Sequence, residues 1–180
     1  MNVICFGDSN TFGYDPRSYI GDRYSPETRW VDILAARTGW SVINEGENGR
    51  EIPNGPIPVP RDTDLLIVML GTNDLFYQCN AAAVAKKMET FLTGIDIPRN
   101  NILLIAPPPM VQGQWITDTQ IISASVALPA YYQSLAERLQ LRFADAGTWN
   151  IAMSFDGVHF TEDGHRAFAE GLCNYLNKGE

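Results

Sequence analysis

The sequence predicts an α/β fold: a three-layer α/β/α, flavodoxin-like, doubly wound domain on a parallel sheet of about five strands. Three observations carry this expectation. Short apolar runs alternate with segments of helical periodicity along the 180 residues. The clearest run, DLLIVML at 64–70, is apolar on both faces, as a central parallel strand must be. Each run is followed by a polar loop, which is what strand ends facing a ligand require.

Taken in order, residues 3–6 are the first expected strand, and they run directly into Gly7-Asp8-Ser9-Asn10. Ser25, Pro26, Glu27 and Thr28 offer helix starts, since proline is tolerated in a first turn. Trp30, Val31, Leu34 and Ala35 then recur at helical spacing, and Gly39 stops the helix. A second strand is expected at 40–44 and a third at 64–70. Val84, Met88, Phe91, Leu92 and Ile95 mark a helix. A fourth strand at 101–106 ends at three prolines, which cannot donate to a ladder. Residues 121–141 read as mostly helical, with Pro129 as a break or kink. A last short strand is expected at 141–146. Phe168, Leu172, Tyr175 and Leu176 line a closing helix capped by Thr161, with Glu162 and Asp163 in the first turn, where acids suit the helix dipole. No repeat, low-complexity tract or linker divides the chain, so one domain, 1–180, is expected.

Composition narrows the function. With 45% apolar and 19% charged residues the chain is of globular type. A net charge of −8 argues against a nucleic-acid partner and against a surface that seeks anionic lipid. No apolar run approaches the length of a bilayer span, and the first residues lack a basic region and a cleavage site. A cytoplasmic protein is therefore expected. Cys5, Cys79 and Cys173 are odd in number and form no CxxC, and only His159 and His165 are available as imidazoles. Neither a metal site nor a cofactor is expected, and reduced thiols fit a cytosolic setting.

The loops after the strands carry the chemistry. They are Gly7-Asp8-Ser9, NEGENGRE at 44–51, Gly71-Thr72-Asn73-Asp74, PPPMVQGQWITD at 107–118 and FDGVHF at 155–160. A serine hydroxyl is a poor nucleophile until a base takes its proton. Histidine is a suitable base, because an unperturbed imidazole titrates near neutrality. Its second nitrogen needs a carboxylate to orient it and to stabilise the imidazolium. Ser9, His159 and Asp156 supply these groups, with Gly157 allowing the turn between acid and base. A tetrahedral oxyanion needs donors. The Asn73 side chain, the Gly49 N–H and the Ser9 N–H at a helix start can provide them. Singly, each residue has a plainer reading. Ser9 would cap a helix, Asp156 form a turn, Asn73 serve as a turn amide, and Gly49 occupy a left-handed turn position. Asp8 and Asp74 read as loop-bracing acceptors, and His165 as a polar residue on the closing helix. The conjunction on one sheet edge favours catalysis.

Taken together these blocks resemble the SGNH hydrolases, the GDSL-type esterases and lipases, over nearly the whole chain and in the family's order. The first block, Gly-Asp-Ser-Leu, is matched by Gly7-Asp8-Ser9-Asn10, with asparagine where leucine is usual. The glycine block is matched by Gly49, with Gly46 also in that loop. Gly-x-Asn-Asp is matched by residues 71–74, and Asp-x-x-His by Asp156-Gly157-Val158-His159. The resemblance implies the SGNH hydrolase fold, Ser9 as nucleophile, His159 as base, Asp156 as its orienting acid, and Ser9, Gly49 and Asn73 as the oxyanion hole. Arg29-Trp30, NEG and MLGTND are most similar to the bacterial arylesterase and acyltransferase branch.

The expected activity is hydrolysis of small carboxylic esters, short acyl or aryl, through an acyl-Ser9 intermediate, with transfer to added alcohols. The expected partner is a small-molecule ester, and a homo-oligomer is left open. Two other readings share the edge: a thioesterase or lysophospholipase with the same triad, and a flavodoxin-like binding module without catalysis. The second lacks a Walker lysine and a GxGxxG fingerprint. Phe12, Tyr14, Met110, Trp115, Trp149 and Met153 lie in loops near the edge, where they either wall an apolar pocket or pack the loops.

Overall fold

Alternation along the strands divides the core into two layers. Val3 and Cys5, Leu65, Ile67 and Met69, and Leu103 and Ile105 share one face, while Ile4 and Phe6, Leu66 and Val68, and Ile102, Leu104 and Ala106 share the other. The computed structural model describes residues 1–20 and 22–177. Its strands are β1 (Asn2–Gly7), β2 (Ser41–Gly46), β3 (Leu65–Met69), β4 (Ile102–Ala106) and β5 (Arg142–Asp145). All pairings are parallel, in the order β2-β1-β3-β4-β5. The helices are α1 (Ser9–Phe12), α2 (Trp30–Thr38), α3 (Thr72–Tyr77), α4 (Ala81–Thr93), α5 (Thr119–Leu139) and α6 (Glu162–Asn177). Residues of α2 and α6 pack one face of the sheet and those of α4 and α5 the other. This is the expected three-layer arrangement.

The strand order places the site. The chain leaves β1 toward β2 on one side and later returns to pair β3 on the other, so the order reverses at β1. Crossovers then diverge at the carboxyl ends of β1 and β3 and leave a crevice there. Gly7 pairs with Gly46 on one flank and with Met69 on the other, so the loops after β1, β2 and β3 leave the sheet at one level.

Three local expectations differ from the structure. Ser25 to Thr28 form a turn, with Thr28 N–H donating to the Ser25 carbonyl at 2.9 Å, and the helix begins at Trp30. Pro129 does not break α5, which runs through it. An interior proline costs about 3 kcal/mol, whereas burying a leucine side chain contributes roughly 1.5–3 kcal/mol. Leu128 and Leu135, both 1% exposed, together offset that cost, and buried Tyr132 adds to the same face. His165, read as a polar helix residue, is 0% exposed beneath Tyr24 and Phe160. No helix among the described residues is long and apolar enough to cross a membrane.

Candidate active site

Ser9 is the first residue of α1. Asp8 caps this helix, its Oδ1 accepting the Asn10 N–H at 3.0 Å. The Ser9 N–H, at a helix start, has no intrahelical acceptor. Burial pushes the Asp8 carboxyl up to about 6, against the opposing pull of the Asn10 N–H and of His159. Asp8 is thus a brace under the loop of Ser9.

Asp156 and His159 lie in one tight loop before α6. Asp156 Oδ1 accepts the N–H groups of Val158 at 2.9 Å and His159 at 3.0 Å, which turns the chain back on itself. Gly157 makes the turn at φ +84°, and a Cβ there would stand 2.2 Å from the Val111 carbonyl oxygen. Asp156 Oδ2 then meets His159 Nδ1 at 2.7 Å, and His159 Nε2 lies 3.0 Å from Ser9 Oγ. Burial alone would raise the Asp156 carboxyl, but the hydrogen bonds from the His159 ring and from two backbone N–H groups hold it below the usual range. An ionised carboxylate only accepts, so Nδ1 carries the proton and Nε2 turns its lone pair to the hydroxyl. Tyr14 and Trp115 flank the imidazole at ring-centroid distances of 4.7 and 5.2 Å.

The opposite wall comes from the loops after β2 and β3. Residues 47–50 form a turn closed by Arg50 N–H to the Glu47 carbonyl at 3.2 Å. Gly49 sits in it at φ +74°, and a Cβ there would meet nothing within 4 Å. Gly46, the other glycine of the loop, ends β2, and a Cβ on it would meet the Phe12 backbone at 2.1 Å. Only Gly49 lines the cleft. Asn73 Nδ2 donates to the Arg50 carbonyl at 3.0 Å. This bond orients the amide and leaves its second N–H free to serve a ligand. Asp74 braces from below, accepting from Ile52 N–H at 3.0 Å and from Lys87 Nζ at 2.7 Å.

These parts enclose a cleft of about 260 Å³ lined by Ser9, Tyr14, Asn48, Gly49, Asn73, Phe76, Trp115, Val158 and His159. Of the six expected pocket residues, Tyr14 and Trp115 reach it and four do not. Phe12 ends α1 with its ring under the Arg23 guanidinium, 4.3 Å away. Met110 is 2% exposed in the core beneath α5. Met153 bridges to Phe160 and packs on the α2–α6 side. Trp149 packs on Phe168 and lines a separate, larger groove of about 540 Å³ on α6, which contains no nucleophile–base pair. Phe76, Asn48 and Val158 line the cleft although the sequence did not single them out. Each follows or precedes a motif residue closely, and adjacency to the motifs was the available signal. Arg50 was also missed. Its guanidinium donates to the Gly7 carbonyl at 3.1 Å and to Glu47 at 2.7 Å, and it braces the Gly49 turn. Among the described residues no cluster of three His, Cys, Asp or Glu could hold a metal ion.

The chain is similar to known proteins in sequence and fold. Residues 5–167 match the family model of the GDSL-like lipases/acylhydrolases. Among solved structures, a carbohydrate acetylesterase family member from Sinorhizobium meliloti is similar at TM-score 0.82 and 26% identity, covering 99% of this chain and 98% of the other. The aryl esterase of M. smegmatis is similar at TM-score 0.80 and 27% identity, covering 98% of each chain. A member of the lipolytic G-D-S-L family from Veillonella parvula, at 20% identity and TM-score 0.69 over 98% of each chain, shares the fold. No curated protein matches.

Proposed function

The chain belongs to the GDSL-like lipase/acylhydrolase family and is a serine ester hydrolase acting on carboxylic esters; from this premise we propose that Ser9 is its nucleophile, His159 its general base and Asp156 the acid that orients the base. The observation that carries the assignment is the buried line Ser9 Oγ–His159 Nε2–Nδ1–Asp156 Oδ2, at 3.0 and 2.7 Å, opening on the cleft. Ser9 Oγ attacks the ester carbonyl carbon as its proton passes to His159 Nε2. The Ser9 and Gly49 N–H groups and the free Asn73 N–H receive the oxyanion. His159 returns the proton to the departing alkoxide, leaving an acyl-Ser9 ester. Water then attacks this ester with His159 again as base, and the acid leaves.

The proposed substrates are small esters with short acyl or aryl groups. A cleft of about 260 Å³ walled by Tyr14, Phe76 and Trp115 has room for an acetyl group and one flat ring rather than a fatty tail. An alcohol that enters competes with water for acyl-Ser9, so acyl transfer accompanies hydrolysis. Cys5, Cys79 and Cys173 are free thiols, which supports the proposed cytoplasmic setting. The test is a series of p-nitrophenyl esters of rising chain length, with and without a primary alcohol, on wild type and Ser9→Ala. Acetate should be cleaved fastest, new ester should form with alcohol, and Ser9→Ala should be inactive. Faster cleavage of the decanoate would overturn the short-acyl assignment.

A further inference from the structure

Asn10 follows the proposed nucleophile, yet its side chain reaches across to another loop. Nδ2 donates to the Val158 carbonyl at 3.1 Å, and Oδ1 accepts the Phe160 N–H at 2.9 Å. Val158 and Phe160 are the two chain neighbours of His159. One amide from the Ser9 loop therefore grips the backbone on both sides of the residue that carries the imidazole. The residue is 4% exposed, so water does not compete for these bonds. Its own backbone is held at both ends: the N–H donates to Asp8 Oδ1 at 3.0 Å, and the carbonyl accepts from Trp30 Nε1 at 2.9 Å. Trp30 is buried against Phe168, so the anchor is the core itself.

The loop of His159 is well tied internally, by Asp156 Oδ1 and by Ser154 N–H to the His159 carbonyl at 2.7 Å. None of those bonds relates it to Ser9. Among the described residues, the hydrogen bonds joining residues 8–13 to residues 154–161 are the two made by the Asn10 side chain and the Ser9–His159 contact itself. A primary amide, with donor and acceptor in one plane, can meet a carbonyl and an N–H at once. Leucine, usual at this position of the first motif, can meet neither.

We propose that Asn10 is a positioning residue that sets the Ser9–His159 distance by clamping the backbone on either side of His159. The proposal rests on the reading of Ser9 and His159 as nucleophile and base. Removing the clamp lets the imidazole drift from the hydroxyl while the cleft keeps its walls, so proton transfer suffers and substrate binding does not.

The experiment compares wild type and Asn10→Leu on p-nitrophenyl acetate, with kcat expressed per site titrated by a fluorophosphonate, and Ser9→Ala with its rate expressed per mole of protein. Asn10→Leu should lose about 10- to 100-fold in kcat with KM within about twofold, because small misplacements of reacting groups are costly. The fluorophosphonate should also label Ser9 more slowly, in step with kcat. A folded Asn10→Leu with wild-type kcat and labelling rate overturns the proposal, as does a loss that vanishes once kcat is taken per titrated site. If Ser9→Ala stays active, the nucleophile assignment beneath the proposal fails instead. Should Asn10→Leu not fold, amide exchange in the wild type decides. The Phe160 N–H should exchange as slowly as the amides of β3, and rapid exchange overturns the clamp.

Discussion

His159 and His165 are close in sequence and both buried, but their surroundings differ in kind. His159 sits in a loop where each ring nitrogen has a partner, Asp156 on one side and Ser9 on the other. His165 sits on α6 among aromatic rings, and neither of its nitrogens finds a partner among the described residues. Burial, with His159 and Arg29 nearby adding to it, pushes His165 down to about 3. It is a packed ring held neutral. The same side chain is thus the proposed base in one place and filler in the other, and the difference lies in the hydrogen-bond partners, not in the degree of burial.

The largest expected effect breaks the comparison outright if it fails. His159→Ala should lose roughly 10⁴- to 10⁶-fold in kcat, the range for removal of a triad member, while His165→Leu should lose little. Steady-state kinetics on two variants shown to be folded by circular dichroism checks this, and comparable losses would end the distinction.

Next in size are the proposed oxyanion donors opposite His159. Asn73→Ala should cost about 10²-fold in kcat with a much smaller change in KM, because the donor acts chiefly in the transition state. A change confined to KM would make Asn73 a binding residue. Gly49→Ala should be milder in activity but harmful to the turn. A side chain at φ +74° carries a strain of roughly 1–2 kcal/mol, although space for the methyl is open. Thermal unfolding together with kcat separates strain from lost catalysis.

The smallest effect concerns stability alone and sharpens the reading of His165. Its folded pKa, about 3, lies below the ordinary 6.5. Between these values the unfolded chain binds a proton that the fold refuses, so stability from this group is full above pH 6.5 and is lost as pH falls. At pH 5 the loss is about 2 kcal/mol. Asp8 works in the opposite direction between 3.8 and about 6, since its folded pKa is raised, so the wild-type curve alone mixes the two. The difference between His165→Leu and wild type isolates the histidine. Between pH 8 and pH 5 the difference in stability between variant and wild type should shift by about 2 kcal/mol in favour of the variant in urea unfolding. A pH-independent difference would mean that His165 protonates in place.

What could be read from the sequence follows a physical division. Strand against helix was legible because apolar period is a local property, and residues 64–70 announced a two-faced strand before any contact was known. The motif residues were legible because their chemistry is written in residue type: a serine after one strand, and an aspartate and a histidine three residues apart in another loop, have few other reasons to follow strand ends together. Helix starts were less legible. Ser25 to Thr28 carry good capping side chains, yet the turn they form precedes α2.

By itself the sequence determined the alternating α/β order, the loops that carry Ser9, Asn73, Asp156 and His159, and the family to which they belong, since each depends on residues near one another in the chain. The tertiary structure decided the rest. It chose Gly49 over Gly46, because Gly46 lies against the Phe12 backbone while Gly49 lines the cleft. It kept Tyr14 and Trp115 at the cleft and sent Met110, Met153 and Trp149 into packing elsewhere. It carried α5 through Pro129 by burying leucines on either side of it. It joined Asn10 to the backbone around His159, a contact between residues 150 apart. Each of these outcomes depends on which surfaces meet after the sheet has formed, and no local pattern of residue types contains that information.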